Sequence, residues 1–259
     1  MKRGLFSPIL LMALTMAAGA AFGQELIPPP ANNITVPETE LQMEAVVIPP
    51  PRKYIVVIDP GHGGLDLGVR SSKSILEKSV ALKLAFSIRS MASKYPNVNV
   101  YLTREGDLER TMLKRLELAN SNRADLFLSI HTGGGFAPQT RPMEIFIAGN
   151  KNKSRAGEWG SQNWPYRKAN YRLANSLSKR MAQLDSKIKI NIVETGGMML
   201  EGLAMPAAVI EPVDLSNPQD EILLEESKRL RQIASAITRG IIDFLDVKEP
   251  VDEAETSDE

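Results

Sequence analysis

Between residues 54 and 246 the sequence alternates short apolar runs with longer segments of helical periodicity, and this alternation constrains the fold more than any other feature. YIVVID at 54–59 and DLFLSI at 125–130 are typical of buried strands. Residues 77–95 instead repeat their apolar positions every three or four residues, as the buried face of a helix does. Such alternation predicts an α/β domain with a mostly parallel sheet and helices on both faces.

The other predicted elements continue this alternation. The sequence predicts strands at 98–103, 143–148, 188–193 and 207–210, and helices at 108–124 and 169–184. Residues 218–246 hold either one long helix or two shorter ones, and residues 44–48 are a candidate for one more short strand. We take 53–246 as one catalytic domain.

The N-terminal residues 1–23 are typical of a signal peptide. Lys2 and Arg3 precede an apolar run at 9–21, and Ala21-Phe22-Gly23 predicts cleavage before Gln24. A membrane anchor is the alternative, but the run is shorter than the roughly 20 residues of a spanning helix. No later run is apolar and long enough to span a bilayer. We therefore expect export without a membrane anchor, to the periplasm, the cell wall or the exterior.

Two further segments flank the predicted domain. Residues 24–52 contain PPP at 28–30 and again at 49–51, which indicates a proline-rich linker. Residues 247–259 carry six acidic residues and few apolar ones, which predicts an acidic disordered tail.

Charge and cysteine content exclude several functions. The chain has 31 basic and 31 acidic residues, so its charge does not favour nucleic-acid binding, which needs a basic face. It has no cysteine, which excludes thiolate catalysis and cysteine-ligated zinc. Any transition-metal site must therefore use histidine, aspartate or glutamate.

Only two histidines occur in the chain, and each follows a predicted strand. His62 lies in IDPGHGG at 58–64, and His131 ends DLFLSIH. The carboxyl ends of parallel strands are where α/β proteins build their sites, and histidine binds transition metals or moves protons near neutral pH. Either residue alone could simply cap a strand and bond to backbone. Two at equivalent edges favour a shared site, with a metal as the first hypothesis.

Two carboxylates are expected at the same edge of the sheet. Glu77 begins the helix after the first strand, and Glu211 ends the strand in AAVIEP. Two neutral imidazoles and one carboxylate, with one position left open, form the ligand set of many zinc hydrolases. A further carboxylate can accept a proton from water and pass it to a leaving nitrogen.

Five motifs in order resemble the zinc-dependent N-acetylmuramoyl-L-alanine amidases of the peptidoglycan amidase-3 type. They are IDPGHGGLDLG, the helix start at Glu77, YLTREGD, RLELANSNRADLFLSIH and MPAAVIEPVDLSNP, and they span about residues 53–246. The resemblance implies a mixed six-stranded sheet, one zinc ion held by His62, Glu77 and His131, and Glu211 as the catalytic carboxylate. The implied reaction cleaves the amide between N-acetylmuramic acid and L-alanine in peptidoglycan, for wall remodelling or cell separation. It leaves any activator protein unidentified.

Two segments depart from the pattern of this family. Thr132 and three glycines at 133–135 follow the second histidine, where the family has a small residue and then Asn or Asp. PVDLSN at 212–217 follows Glu211, where the family has Gly, an aromatic residue and Ser-Asn. Both segments are expected near the substrate cleft and not among the metal ligands, so they affect how the substrate fits. Two other functions therefore stay open: a catalytically silent wall-binding or regulatory relative, and a zinc peptidase that acts on stem peptides.

Several polar residues near these motifs have competing interpretations. Asp59 either orients a metal ligand or caps the turn, whereas Asp66 is expected to hold the glycine loop. Arg104, Asp107 and Arg115 are expected to form an ion-pair network between loop and helix.

Three residues outside the motifs also need a role. Glu194 is a rival carboxylate for the site, although we expect a solvated loop residue. Trp159 and Trp164 lie in a polar segment at 149–166, where they either line a substrate groove or, as we favour, pin the segment to the body of the protein.

Overall fold

A mixed sheet with helices on both faces is the framework of the fold. The computed structural model describes residues 52–134, 142–149, 162–185, 188–196, 198–225 and 227–248. The strands of the sheet are β1 (Tyr54–Pro60), β2 (Val98–Leu102), β3 (Leu126–Ile130), β4 (Met143–Ala148), β5 (Ile190–Thr195) and β6 (Ala207–Glu211). The helices are α1 (Glu77–Ala92), α2 (Met112–Ser121), α3 (Arg167–Met181), α4 (Met198–Glu201), α5 (Pro218–Glu225) and α6 (Ser227–Leu245).

The strand order is β2-β1-β3-β6-β4-β5, and every neighbouring pair is parallel except β4 and β6. The mostly parallel, mixed six-stranded sheet expected from the sequence is therefore confirmed. Because β1, β3 and β6 are adjacent and parallel, their carboxyl ends meet at one edge. This edge carries Pro60, Ile130 and Glu211, and the loops that follow them.

The two faces of the sheet are both covered, which explains why the central strands are continuously apolar. In β1, Val56 and Ile58 pack into the larger core cluster, to which α1, α3 and α6 also contribute. Val57 points the other way, into a smaller cluster formed with α2 and α4. Every second residue of a strand therefore faces one helical layer, and the residues between face the other.

The structure shifts some element boundaries. The helix predicted at 108–124 begins only at Met112, because the extended residue Thr111 caps its first turn by accepting a hydrogen bond from the backbone N–H of Lys114. Residues 218–246 form two helices, which was one of the two alternatives. The short helix α4 and a 3-10 turn at Trp164–Tyr166 were not predicted.

Several sequence expectations lie outside the described residues. They include the signal peptide, the linker up to residue 51, the candidate strand at 44–48 and the acidic residues from 249 onward. Across the part of the chain that the structure describes, no helix combines the length and apolar character needed to cross a bilayer.

α6 packs closely against α3 at Gly240. A Cβ atom at this position would lie 3.0 Å from the Leu177 Cα and 3.0 Å from Leu177 Cδ2. Leu177 is itself fully buried, so its side chain has little room to move away from an added methyl group. The side chain of any other residue at 240 would have to push α3 away from α6.

We predict that Gly240→Ala lowers the free energy of unfolding by about 1–2 kcal/mol, because the added methyl group overpacks this contact. An Ala at an open helical position would instead stabilise by up to about 1 kcal/mol relative to Gly. Urea unfolding measures the difference, and Gln232→Ala, at an exposed position of the same helix, is the control. An increase in stability for Gly240→Ala would contradict the close approach.

Candidate metal centre

Three potential metal ligands converge at the shared edge of the sheet. His62 follows β1, Glu77 begins α1 and His131 follows β3. The Oε1 atom of Glu77 lies 3.0 Å from Nε2 of His62 and 3.0 Å from Nδ1 of His131. The three candidate ligand atoms all lie within 4.8 Å of one another. The structure thus brings together the three residues that the sequence suggested as ligands.

The imidazole of His62 is oriented by Asp66. The Nδ1 atom of His62 lies 2.8 Å from Oδ2 of Asp66, and the other carboxylate oxygen accepts a hydrogen bond from the N–H of Gly68. Asp66 therefore holds the glycine loop, as expected, and also contacts a candidate ligand. Both ring nitrogens of His62 thus face carboxylates, Nδ1 toward Asp66 and Nε2 toward Glu77. A carboxylate at Nδ1 is the partner that fixes the ring of a metal-binding histidine when the other nitrogen is the ligand.

The backbone of this loop is shaped to bring the ligands together. His62 has a φ of 60°, a left-handed conformation that is uncommon for residues other than glycine. Gly68 has a φ of 66°, and a Cβ there would lie 2.6 Å from both Oε2 of Glu77 and Cδ2 of His62. The glycine at 68 is thus required by its conformation and by the space that two candidate ligands occupy.

Glu77 is held as a charged carboxylate. Only 2% of the residue is exposed, and its oxygens accept hydrogen bonds from the N–H groups of Val69 (2.8 Å) and Thr132 (2.9 Å). Burial alone would raise the pKa of Glu77, but hydrogen bonds from the two imidazoles and these two N–H groups outweigh it. They hold the pKa well below its usual range. The hydrogen bond to Glu77 in turn raises the pKa of His62, so protons compete with a metal for this histidine.

Two buried arginines bind the carbonyl groups of the turn that carries His62. Arg104, 1% exposed, donates from Nε to the carbonyl of Pro60 (3.0 Å) and from Nη2 to that of Gly61 (2.7 Å). Arg115 donates to the carbonyls of Pro60 and His62, both at 2.8 Å. Three successive carbonyls are therefore fixed by guanidinium groups, which holds the left-handed turn in place.

Asp59 has a different role from either that the sequence suggested. It is fully buried and accepts hydrogen bonds from Arg115 (2.6 Å), Ser129 (2.7 Å) and Thr103. It thereby neutralises Arg115 and links β1 to β3. The carboxylate that contacts a candidate ligand is Asp66, whereas the described hydrogen bonds of Asp59 include none to His62, Glu77 or His131.

The expected ion-pair network is present in part. Arg115 pairs with Asp59, but Asp107 pairs with Lys78 of α1 at 2.7 Å. Asp107 also accepts a hydrogen bond from the N–H of Gly64, which ties the loop to α1. Arg104 binds backbone carbonyls in place of an acidic side chain, a pattern that the sequence did not indicate.

Glu211 lies beside the three converging residues, at the end of β6. Burial raises the pKa of Glu211 to about 7, and the nearby carboxylate of Glu144 adds to this shift. Glu144 lies directly opposite Glu211 in the antiparallel pairing of β4 with β6. Sequence reasoning missed Glu144, because only the pairing of two distant strands places it there.

The two segments that depart from the family pattern contact each other. The N–H of Gly133 donates to the carbonyl of Val213, and the N–H of Leu215 donates to the carbonyl of Gly133, both at 2.8 Å. These bonds extend the pairing of β3 with β6 beyond the strands. The two segments that depart from the family pattern therefore lie side by side, directly after His131 and Glu211. Both of these residues still lie at the candidate site. Gly135 is outside the described residues.

The remaining candidates lie away from the metal centre. Glu194 belongs to β5, where it pairs with Arg167, so the expectation of a loop residue was wrong. Trp164 is 40% exposed, and Trp159 lies outside the described residues. Within the described residues of this segment, Asn163 is buried, and its amide donates to two backbone carbonyls at 3.0 and 2.7 Å.

Comparison with known proteins identifies the family. Residues 56–243 match the family model described as N-acetylmuramoyl-L-alanine amidase. The chain belongs to this family. The motifs that resembled the amidase-3 type are thus confirmed as a family signature, and the chain is an amidase of this kind.

Relatives in sequence and structure agree with this assignment. The chain is 27% identical over 222 residues to the N-acetylmuramoyl-L-alanine amidase AmiA of Escherichia coli K12, covering 74% of this chain and 76% of AmiA. It is 27% identical to the germination-specific amidase of Bacillus subtilis 168, covering 75% and 81% of the two chains. The catalytic domain of CwlV from Bacillus (Paenibacillus) polymyxa var. colistinus superposes with a TM-score of 0.65 at 27% identity, covering 75% and 99%.

We predict that Arg115→Met lowers the free energy of unfolding by about 3 kcal/mol, because it leaves Asp59 as an uncompensated buried charge. It should also weaken metal binding, since the carbonyl of His62 loses its donor. Urea unfolding and metal titration measure the two effects. Arg110→Met, which removes an exposed side chain just before α2, is the control. Equal losses in the two variants would contradict the role of Arg115.

We also predict a pH-dependent effect of Glu211→Gln in metal-free protein. Because the pKa of Glu211 is raised to about 7, the folded chain holds this proton more tightly than the unfolded chain. The free energy of unfolding should therefore fall as the pH rises from the ordinary glutamate value through about 7.

Glu211→Gln has no such carboxylate, so its free energy of unfolding should not fall in this way. Relative to the native chain, the free energy of unfolding of the variant should increase by on the order of 2 kcal/mol between pH 4 and pH 8. Urea unfolding of chelator-treated protein at both pH values measures the gain. A difference between the two proteins that does not change with pH would contradict the assignment.

Proposed function

We propose that this chain hydrolyses the amide between the lactyl group of N-acetylmuramic acid and L-alanine in peptidoglycan, with a zinc ion held by His62, Glu77 and His131. Family membership supports the reaction. The observation that carries the metal assignment is the convergence of two imidazole nitrogens and a buried carboxylate within 4.8 Å.

The donor set fits zinc in particular. Zinc sites in hydrolases use three protein ligands drawn from histidine and carboxylate, and leave a further position open. Two of the candidate ligands also have hydrogen bonds that fix their orientation, as such sites require: His62 from Asp66, and Glu77 from the N–H groups of Val69 and Thr132. When bound, a zinc ion polarises a carbonyl group and makes water acidic enough to be a nucleophile near neutral pH.

The two carboxylates at the site have different environments and therefore different roles. Glu77 is held charged by four hydrogen-bond donors, which suits a ligand. Glu211 has its pKa raised to about 7 by burial, which suits a group that takes up and releases a proton near neutral pH. Glu211 accepts a proton from the attacking water and delivers it to the nitrogen of the departing L-alanine.

We further propose that the chain is exported after cleavage before Gln24 and acts in the periplasm or the cell wall. The charged, apolar and small-residue regions of residues 1–23 support this. Mass analysis of the protein recovered from the producing cells tests it. A mature chain that begins at Gln24 is expected, and recovery of a chain that still begins at Met1 would contradict export by cleavage.

Product analysis separates the proposed activity from its two alternatives. We expect metal-loaded protein to release intact stem peptides with a new N-terminal alanine from purified peptidoglycan. Peptides cut internally would instead identify a stem-peptide peptidase. Retained binding without release of peptides would identify a silent relative. The intact placement of His131 and Glu211 beside the two departing segments favours the first outcome.

We predict that His131→Ala and Glu211→Ala separate metal binding from turnover. His131→Ala removes one of three ligands and should lose the metal, whereas Glu211→Ala should retain it. Both variants should lose activity, by about 10²-fold or more for Glu211→Ala, because a proton-transfer group is absent. Metal analysis and peptide release are measured on the same samples. Equal metal occupancy in the two variants would contradict the assignment of His131 as a ligand and Glu211 as the proton-transfer group.

A further inference from the structure

A basic groove lies on the helical face of the sheet that α1, α3 and α6 cover. Its volume is about 480 Å³, and its lining includes Arg180, Lys228, Arg231 and Arg239. Among the described residues that line it, none is acidic. Met91 contributes the lining from α1, fourteen residues after Glu77 or about 21 Å along the helix axis. The groove is therefore separate from the metal centre.

The cations on α6 form one continuous stripe. Three exposed cations of α6 recur at helical spacing: Lys228, Arg231 and Arg239. Ser235 lies between Arg231 and Arg239 on the same face of the helix. The same stripe continues to Asp243, which accepts hydrogen bonds from Arg180 at 2.6 and 2.8 Å. Four cations thus line the groove among the described residues, and Arg180 is the one paired with Asp243. The described lining therefore carries a net positive charge.

The chain turns back at the end of this stripe. After α6, Asp246 adopts a left-handed conformation with a φ of 54°. The N–H of Val247 donates to the carbonyl of Ile242 at 3.2 Å, the bond that closes a Schellman-type helix end. Val247 packs against the larger core cluster. The chain therefore leaves α6 held against the body of the protein, beside the stripe.

The residues that follow have the complementary charge. Residues 249–259 contain six carboxylate side chains and no basic residue. We propose that this acidic segment, residues 249–259, docks in the basic groove of its own chain. The segment covers cations that would otherwise attract other polyanions. Docking of this kind rests on charge and needs no regular secondary structure in the segment.

The segment is long enough to reach the whole groove. Lys228, the cation farthest from the end of α6, lies seventeen residues before Leu245, or about 26 Å along the helix. Eleven residues in extended conformation span up to about 36 Å. Because the segment is tethered, its effective concentration at the groove is on the order of millimolar. Weak ion pairs are then sufficient for docking, and salt should release it.

The absence of cysteine makes a direct test simple. Ser257→Cys gives the chain a single thiol, to which a paramagnetic spin label is attached. At low salt we expect the label to broaden the amide signals of residues 228–239 and of the end of α3. Signals of α2, on the opposite face of the sheet, should be unaffected. About 0.5 M NaCl, where the Debye length is below roughly 5 Å, should restore the lost intensity.

Matched charge variants test the groove itself. Arg231→Gln with Arg239→Gln should abolish the broadening, whereas Arg110→Gln with Lys114→Gln, two exposed cations next to and on α2, should not. The proposal is overturned if the broadening is absent, is centred elsewhere, or survives the loss of Arg231 and Arg239.

An anionic surface is the competing occupant, and vesicles test it. The probe is phosphatidylcholine vesicles with about 30% phosphatidylglycerol. We expect a full-length chain with all six carboxylates of 249–259 changed to amides to bind these vesicles more tightly than the native chain. Adding Arg231→Gln and Arg239→Gln to it should remove that gain. Equal binding by the native and neutralised chains through the groove would assign the groove to the anionic surface and overturn the proposal.

Discussion

The site depends on two buried guanidinium groups that hold the turn after β1. Arg104 and Arg115 donate to the carbonyls of Pro60, Gly61 and His62. Buried carbonyl groups need partners, so the turn could not otherwise keep its left-handed conformation under the loops that cover it. The arginines themselves are tolerated in the interior because Asp59 and the carbonyl oxygens compensate their charge. The position of His62, and with it the metal centre, follows from this arrangement.

Environment, more than residue type, distinguishes the carboxylates around this turn. Glu77 and Glu211 are both largely buried, yet their pKa values move in opposite directions. Glu77 lies among hydrogen-bond donors, whereas Glu211 lies opposite another carboxylate, Glu144, on a neighbouring strand. Asp66 is exposed and acts on an imidazole, and Asp59 is fully buried and acts on a guanidinium. One chemical group, the carboxylate, thus supplies the candidate metal ligand Glu77, the proposed proton carrier Glu211 and two positioning groups.

The residues of the candidate site were predictable where a residue lies at the end of a predicted strand or at the start of a predicted helix. His62, His131 and Glu211 each end or directly follow an apolar strand run, and Glu77 begins a periodic helix, so parallel pairing brings all four to one edge. The choice of Asp66 over Asp59 was not predictable, because it depends on how the loop folds back on His62. The start of α2 at Met112 was likewise missed, since residues before it wrap around that loop.

The sequence by itself determined the α/β class, the order of the six strands and of the longer helical segments, and the four residues that meet at the edge of the sheet. Local periodicity and position at the end of a strand suffice for these, because they depend on neighbours along the chain. Only the tertiary structure decided that β4 runs antiparallel beside β6, that Glu144 lies opposite Glu211, and that the cations of α6 form a groove with Arg180. These features depend on pairings between residues far apart in the chain, which no local pattern records.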